Sequence, residues 1–166
     1  MSLQVSVVSA SHLHRNIDAV TLLKAEHRYI EDMFLELERT ETPVQKQQLA
    51  IQICTTLIVH KDIEEEIFYP ALLAGTHSPG AHHAALVEHE EADRLVGVIM
   101  DMSAEHEFFD AKIHVLSEMI AQHVREEERI GGTFSTARKS SIDLMALGQA
   151  MQDRRSELLG TAHLVR

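Results

Sequence analysis

The chain has 166 residues, of which 45% are hydrophobic and 25% charged, and its formal net charge is −11. This length and composition suit one folded domain with a proper core and exclude a disordered segment, while few glycines, prolines and aromatic residues favour helices over sheets. The negative charge argues against nucleic acid or an anionic membrane as a partner.

Two long helices are predicted in the first half of the chain. Residues 18–39 place apolar side chains at the spacing of one helix face. Thr42-Pro43 is typical of a helix start, with a capping hydroxyl followed by proline at the first helical position. The second helix is expected to run from there to about Tyr69, where Pro70 should weaken or kink it.

Three more helices are predicted in the second half. A turn at residues 75–80 precedes a helix that extends to about residue 102, and another helix spans about residues 107–129. The apolar spacing of residues 136–159 predicts a fifth, amphipathic helix.

Four long helices joined by short turns favour an all-α fold, an up-down antiparallel four-helix bundle with an additional C-terminal helix. We expect an N-terminal tail over residues 1–17, the bundle over 18–130, and the C-terminal helix and tail over 131–166. No apolar run approaches the roughly 20 residues of a membrane span, the N-terminus lacks a signal-peptide pattern, and the one cysteine, Cys54, cannot form an internal disulfide. A cytoplasmic location is therefore expected.

The two halves of the chain repeat one pattern of polar residues on apolar helix faces. Each half holds a Glu-His dipeptide on its first helix and a His-x-x-x-Glu pair on its second. These residues are Glu26-His27 with His60 and Glu64, and Glu88-His89 with His123 and Glu127. Because residues three and four apart share a helix face, an antiparallel bundle would bring four histidines and two glutamates to one interior level.

Buried imidazoles and carboxylates are costly alone, and a pair of metal ions would remove that cost. Two carboxylates can bridge two ions while neutral imidazoles cap each ion on the outside. Mixed nitrogen and oxygen ligands suit iron, manganese or zinc better than calcium or copper(I). Six ligands for two ions leave coordination positions open, which is typical of sites that perform chemistry or bind a small molecule. The alternative is a metal-free bundle, since one such pair alone indicates only a surface contact.

The combined motifs are similar to those of the hemerythrin-like (HHE cation-binding) family over roughly residues 18–130. The motifs are Lys24-Ala25-Glu26-His27, His60-x-x-x-Glu64-Glu65-Glu66-Ile67-Phe68-Tyr69-Pro70, Glu88-His89 and His123-x-x-x-Glu127-Glu128. The resemblance implies a four-helix bundle that holds two non-haem iron ions bridged by an oxo or hydroxo group. It also implies four terminal ligands, which are His27, His60, His89 and His123. The bridging ligands would be Glu64 and Glu127.

One departure from that family concerns the third helix, on which oxygen-carrying hemerythrins have two histidines one turn apart. Here His89 has Ala85 one turn before it and Asp93 one turn after it. A histidine ligand is therefore missing, which argues against reversible oxygen carriage. Asp93, or Glu31 one turn after His27, could supply an oxygen ligand, or both could face water.

Two other metalloprotein classes are unsupported by the spacing. Ferritin-like di-iron proteins use Glu-x-x-His, and no histidine here has a glutamate three positions before it. The zinc-protease pattern His-Glu-x-x-His is also missing from the sequence.

The expected function is that of a non-haem di-iron protein that binds or reacts with dioxygen, peroxide or nitric oxide in a stress response. The alternative is an iron-sensing or iron-handling module in which the metal controls a partner surface, without turnover. The C-terminal helix could supply that surface, to a protein partner or to a second copy of the chain.

Neighbouring carboxylates are expected to accept hydrogen bonds from the histidines, since a metal-bound imidazole usually donates its other ring N–H to such a group. The candidates are Glu26, Glu65, Glu88 and Glu128. Tyr69 is expected to anchor the end of its helix, with a place beside the open site as the alternative.

Overall fold

The fold is described from a computed structural model, which covers residues 16–76 and 79–162. Residues 1–15 of the predicted N-terminal tail lie outside the described residues. The helices are α1 (Ala19–Arg39), α2 (Pro43–Ile63), a π-helical turn (Glu64–Phe68), α3 (Tyr69–Thr76), α4 (Pro79–Met100), α5 (Phe109–Glu128), α6 (Thr133–Lys139) and α7 (Leu144–Ala162). The predicted all-α bundle with additional C-terminal helical structure is confirmed.

Four long helices, α1, α2, α4 and α5, form the bundle, and each packs against two of the others. Helix α1 packs against α2 and α5, and α4 packs against the same two helices. The first two helices begin at side-chain caps, because Asp18 accepts from the Thr21 amide (3.0 Å) and Thr42 accepts from the Gln45 amide (3.4 Å). Pro43 occupies the first turn of α2, as predicted.

The second helix differs from the predicted single helix to about Tyr69, because regular α-helix stops at Ile63 and resumes only at Tyr69, just before Pro70. The chain passes from α2 through the π-helical turn into α3 and stays helical to Thr76. Within that turn the Tyr69 amide donates to the Glu64 carbonyl, five residues back. The wider turn brings Tyr69 close to the face that carries Glu64, and both side chains are completely buried.

The C-terminal segment forms two helices instead of the single helix predicted over residues 136–159. Gly131, whose φ is +76°, turns the chain out of α5, and α6 follows as a short helix. Residues 140–143 then separate α6 from α7, and Asp143 begins α7 by accepting from the Ala146 amide (3.0 Å). Helix α7 packs across α1, α2 and the π-helical turn.

Two apolar clusters enclose the middle of the bundle. One cluster contains Ile30, Phe34, Ile53, Ile99 and Leu116. The other contains Leu23, Ile63, Phe68, Phe134 and Met151, so α6 and α7 complete the core at that end. Among the described residues, none of the helices has the length and hydropathy needed to cross a membrane.

Candidate metal centre

The six residues predicted as metal ligands lie together in the bundle interior. Helices α1, α2, α4 and α5 each contribute one histidine, the π-helical turn contributes Glu64, and α5 also contributes Glu127. All six are buried, and the most exposed of them, His89, is only 7% exposed.

Glu64 lies between two pairs of histidines. Its Oε1 is 3.3 Å from His60 Nε2, and its Oε2 is 3.3 Å from His89 Nε2 and 3.8 Å from His123 Nε2. The potential ligand atoms within the described residues form two clusters, and both clusters include Glu64. One cluster adds His27 and His60, and the other adds His89 and His123.

Glu127 connects the same two pairs from α5. Its Oε2 is 3.4 Å from His27 Nε2 and 3.6 Å from His123 Nε2. On the second pair, the Nε2 atoms of His89 and His123 are only 3.3 Å apart. Each carboxylate therefore lies close to at least one histidine of each pair.

Four buried polar atoms in this cluster have no hydrogen-bond partner. They are His27 Nε2, His60 Nε2, Glu64 Oε1 and Glu127 Oε2. An unsatisfied buried polar group costs about 1–3 kcal/mol, and these atoms are all potential metal ligands. A pair of cations bound among them would satisfy them, so the residues present fit a two-metal site.

The opposite nitrogen of each histidine is held by a glutamate from the neighbouring helix. The Nδ1–carboxylate pairs are His60–Glu26 at 2.7 Å, His89–Glu65 at 2.9 Å, His123–Glu88 at 2.7 Å and His27–Glu128 at 2.8 Å. The four pairs form a closed ring around the bundle, and they involve all four glutamates proposed from the sequence. Because each Nδ1 is held on the outside, each Nε2 points inward as a potential ligand atom.

In the metal-free site, burial and neighbouring charges lower the pKa of one proposed ligand and raise the pKa of two others. Burial, aided by the nearby His60, lowers the pKa of His27 to about 4. Burial and the charge of Glu64 raise the pKa of Glu127 to about 8. Burial also opposes the charged form of His123, but hydrogen bonds to Glu64 and Glu88 outweigh it and raise the pKa to about 10. At neutral pH, Glu127 and His123 therefore hold protons in positions where cations would bind, whereas His27 is neutral.

The family model for the hemerythrin HHE cation binding domain matches residues 18–131. The chain belongs to the hemerythrin HHE cation-binding family. Its members are metal-binding helical proteins, in agreement with the cluster of histidines and glutamates.

One solved structure has the same fold as this HHE protein. It is a hemerythrin HHE cation binding domain-containing protein from Mycobacterium kansasii, with a TM-score of 0.75 and 21% sequence identity. The match covers 89% of this chain and 91% of that chain, and at this identity it shows the fold alone. No curated protein matches this chain significantly.

Tyr69 lies beside the cluster of four histidines and two glutamates, called the HHE cluster below, and does not merely anchor the end of its helix. Its hydroxyl is 2.9 Å from Glu127 Oε1 and 3.4 Å from Glu64 Oε2, and its ring stacks on His89 with centroids 5.8 Å apart. Burial and the two carboxylates raise its pKa well above the usual value, so the hydroxyl is a neutral donor. A place beside the open site is the alternative that the sequence analysis gives for Tyr69.

Phe134 of α6 is a site residue that sequence analysis missed. Its ring stacks on His27 at a centroid distance of 5.5 Å, and it also contacts Phe68 edge-on at 5.8 Å. Phe134 is only 2% exposed, so it excludes water from that side of His27.

The two candidate additional ligands do not join the HHE cluster. Asp93 Oδ2 is 2.6 Å from Lys61 Nζ, and Glu31 pairs with Arg28 at 3.1 Å. Both carboxylates are partly exposed, at 42% and 41%, and each is paired with a cation of its own. The partial exposure of both carboxylates agrees with the alternative reading from the sequence, in which they face water.

A small cavity of about 30 Å³ adjoins all four histidines. Its remaining walls are mainly apolar, while the Lys61–Asp93 pair also borders it. A volume of this size has room for about two water molecules, so it suits a ligand of a few atoms.

Proposed function

We propose that this HHE protein holds two non-haem iron ions and binds or reacts with dioxygen, peroxide or nitric oxide in a stress response. The observation that carries the proposal is the position of Glu64 and Glu127 between two pairs of histidines. In this arrangement His27 and His60 would hold one ion, and a second histidine pair, His89 and His123, would hold the other. The two carboxylates would bridge them.

The mixed imidazole and carboxylate set suits iron, manganese or zinc, and the resemblance to hemerythrins implies iron. A ferrous pair, when bound, would supply electrons to a small oxidant, and the anionic carboxylates would stabilise the ferric product. Four histidines and two glutamates leave coordination positions open on two ions. The adjoining cavity supports a ligand of few atoms in those positions.

The residues of the chain have distinct roles around this chemistry. The ring of glutamates orients each imidazole through its Nδ1, so that Nε2 keeps its lone pair directed inward. Tyr69 donates a hydrogen bond to Glu127 Oε1 and so holds this carboxylate in one orientation. Phe134 and the apolar cavity walls exclude bulk water, which strengthens the electrostatic interactions inside.

The test is anaerobic loading of the metal-free protein with ferrous iron, followed by metal analysis and Mössbauer spectroscopy. We expect about two irons per chain, and a spectral change when peroxide, dioxygen or nitric oxide is added. The double variant His60→Ala, His123→Ala should lose the iron, whereas His114→Ala should retain it because His114 is exposed on α5. Wild-type protein that binds far fewer than two irons, or that stays spectroscopically unchanged, would contradict the proposal.

A second candidate function is iron sensing without turnover, with α6 and α7 as the responsive surface. It is favoured by the stacking of Phe134 on His27, because this contact links α6 directly to the cluster. Metal-dependent protection of α7 in hydrogen exchange, together with no reaction toward the three oxidants, would favour sensing. Gel filtration with and without metal would reveal whether a second copy is the partner.

A further inference from the structure

Arg155 connects helix α7 to one of the outer glutamates of the candidate metal site. Arg155 Nε lies 2.7 Å from Glu26 Oε1, and Glu26 Oε2 lies 2.7 Å from His60 Nδ1. Glu26 Oε1 accepts no hydrogen bond, so Arg155 contacts it as an ion pair, and the other oxygen of Glu26 bonds to the imidazole on α2. Arg155 lies beyond residues 18–131, the range that the family model matches.

This contact is more buried than an ordinary surface ion pair. The side chain of Arg155 is 21% exposed and that of Glu26 is 9% exposed. The neighbouring Arg154 provides a comparison, because it pairs with Glu66 at 2.6 Å while both side chains are 35% and 45% exposed. Glu66 does not bond to any of the four histidines in the ring, so Arg154 has no comparable route to the cluster.

The ring of glutamates is asymmetric in its cationic partners. Glu26 contacts Arg155, and Glu128 contacts Arg28, so both carboxylates behind the His27 and His60 pair have an arginine. Within the described part of the chain, neither Glu65 nor Glu88, which hold the other histidine pair, has an ion pair with lysine or arginine. Two ions bound in this site would therefore experience different outer environments.

An arginine beside a carboxylate weakens that carboxylate as a hydrogen-bond acceptor, because it shares the negative charge. With Arg155 in place, Glu26 withdraws less from the Nδ1–H of His60, and His60 is a weaker electron donor through Nε2. A weaker donor stabilises a ferrous ion relative to a ferric ion. Removing the cation should strengthen the Glu26–His60 bond and stabilise the ferric ion instead.

We propose that Arg155 is a positioning residue that sets the donor strength of His60 through Glu26 and thereby links the seating of α7 to the metal held by that histidine. The inference rests on the proposed two-metal site, but it does not require iron. Any divalent ion bound by His60 Nε2 is subject to the same outer contacts, so a zinc-loaded protein can report the effect separately.

The test compares Arg155→Gln, Glu26→Gln and the control Arg154→Gln in zinc-loaded protein with ¹⁵N-labelled histidine. The His60 Nδ1–H resonance should move downfield in Arg155→Gln, because the hydrogen bond strengthens, and upfield in Glu26→Gln, because an amide oxygen is a weaker acceptor. Arg154→Gln should leave it in place, and Arg155→Lys, which keeps the charge, should restore most of the wild-type position. A merely structural role for Arg155 would not produce shifts of opposite sign.

The iron-loaded protein gives the matching redox readout. Its reduction potential should fall in Arg155→Gln, rise in Glu26→Gln and remain unchanged in Arg154→Gln. An unchanged resonance and potential in Arg155→Gln, with metal fully bound, would overturn the inference. If the wild type binds zinc but not iron and the resonances still shift as expected, the inference stands and the di-iron function fails.

Discussion

The Tyr69 hydroxyl donates a hydrogen bond to Glu127 Oε1 over 2.9 Å, and the tyrosine is completely buried. This contact is significant because Glu127 has a carboxyl group whose pKa burial raises to about 8. Its other oxygen, Oε2, has no hydrogen-bond partner and faces the histidines. The hydroxyl therefore fixes one oxygen of the carboxylate and leaves the other available to a metal.

Replacing Tyr69 with phenylalanine should destabilise the metal-free protein more than the metal-loaded protein. Without metal, Glu127 loses a buried donor, and we expect the free energy of unfolding to fall by about 1–3 kcal/mol. With metal bound, a cation still stabilises the carboxylate, so the loss should be smaller. Urea unfolding of both forms measures the difference.

The matched control for this experiment is Tyr29→Phe. Tyr29 is 41% exposed, and its hydroxyl accepts a hydrogen bond from the Gln52 side-chain amide at 2.9 Å instead of donating one to a carboxylate. Its removal should change the stability of both forms little and equally. Equal losses in the two forms of Tyr69→Phe would show that the hydroxyl does not act through Glu127.

The metal-free protein should lose stability as the pH rises from about 6.5 to 8. The folded-state pKa of Glu127, about 8, and of His123, about 10, both exceed the ordinary values of 4.5 and 6.5. In this window the folded state therefore binds more protons than the unfolded chain, and stability falls by about 1.4 kcal/mol per pH unit for each extra proton. His27 has the opposite sign, but its lowered pKa of about 4 places its effect below pH 6.5.

Metal should abolish this pH dependence, because the cations replace the protons held in the cluster. The measurement is urea unfolding at pH 6.5 and pH 8, with and without two equivalents of metal. Metal-free stability that rises across this interval would refute the assigned directions of the pKa shifts. The affinity for the metal should increase over the same interval, since binding releases those protons.

The helices and the ligand-type residues could be predicted from the sequence because both depend on local spacing. The repeat of Glu-His and His-x-x-x-Glu placed His60 and Glu64 one helical turn apart, and the structure keeps them 3.3 Å apart across Nε2 and Oε1. The same repeat identified the four outer glutamates as a set. Their pairing with particular histidines required the order of the helices around the bundle.

The features that sequence analysis missed depend on packing between distant segments. The π-helical turn adds one residue per turn, and only this insertion moves Tyr69 toward Glu64. Phe134 and Arg155 lie far from the motifs in sequence, and the chain must fold back over the bundle end before either reaches the site. The apolar spacing predicts one helix where the structure has two, because Ile142 keeps that spacing across the break at residues 140–143.

Asp93→Ala should leave the metal content unchanged and strengthen the binding of small anions. Asp93 is paired with Lys61 at 2.6 Å beside the cavity, so its removal frees a cation next to the open coordination positions. We expect the affinity of the ferric protein for azide to rise by roughly two- to fivefold, the size of a partly exposed ion-pair effect of up to about 1 kcal/mol. Optical titration measures this affinity.

Asp110→Ala is the control for the anion experiment, because Asp110 forms a comparable pair with Lys46 at 2.7 Å and neither residue borders the cavity. It should leave azide affinity at the wild-type value. A loss of iron in Asp93→Ala would instead identify Asp93 as a ligand. The same azide response in both variants would show that net charge, and not the Lys61 contact, is responsible.

Gly148→Ala should weaken the seating of α7 on the start of α1. A Cβ atom at position 148 would lie 2.8 Å from Ala19 N and 2.9 Å from Asp18 C, and closer still to Ile17 O. Because these are backbone atoms, they cannot rotate away, and we expect a loss of about 1–3 kcal/mol in the free energy of unfolding. Gly160→Ala on the same helix should instead stabilise by about 0.5–1 kcal/mol, since a Cβ there meets nothing within 4 Å and glycine is unfavourable inside a helix. Urea unfolding of the two variants would disprove the close contact between α7 and α1 if Gly148→Ala proved as stable as Gly160→Ala.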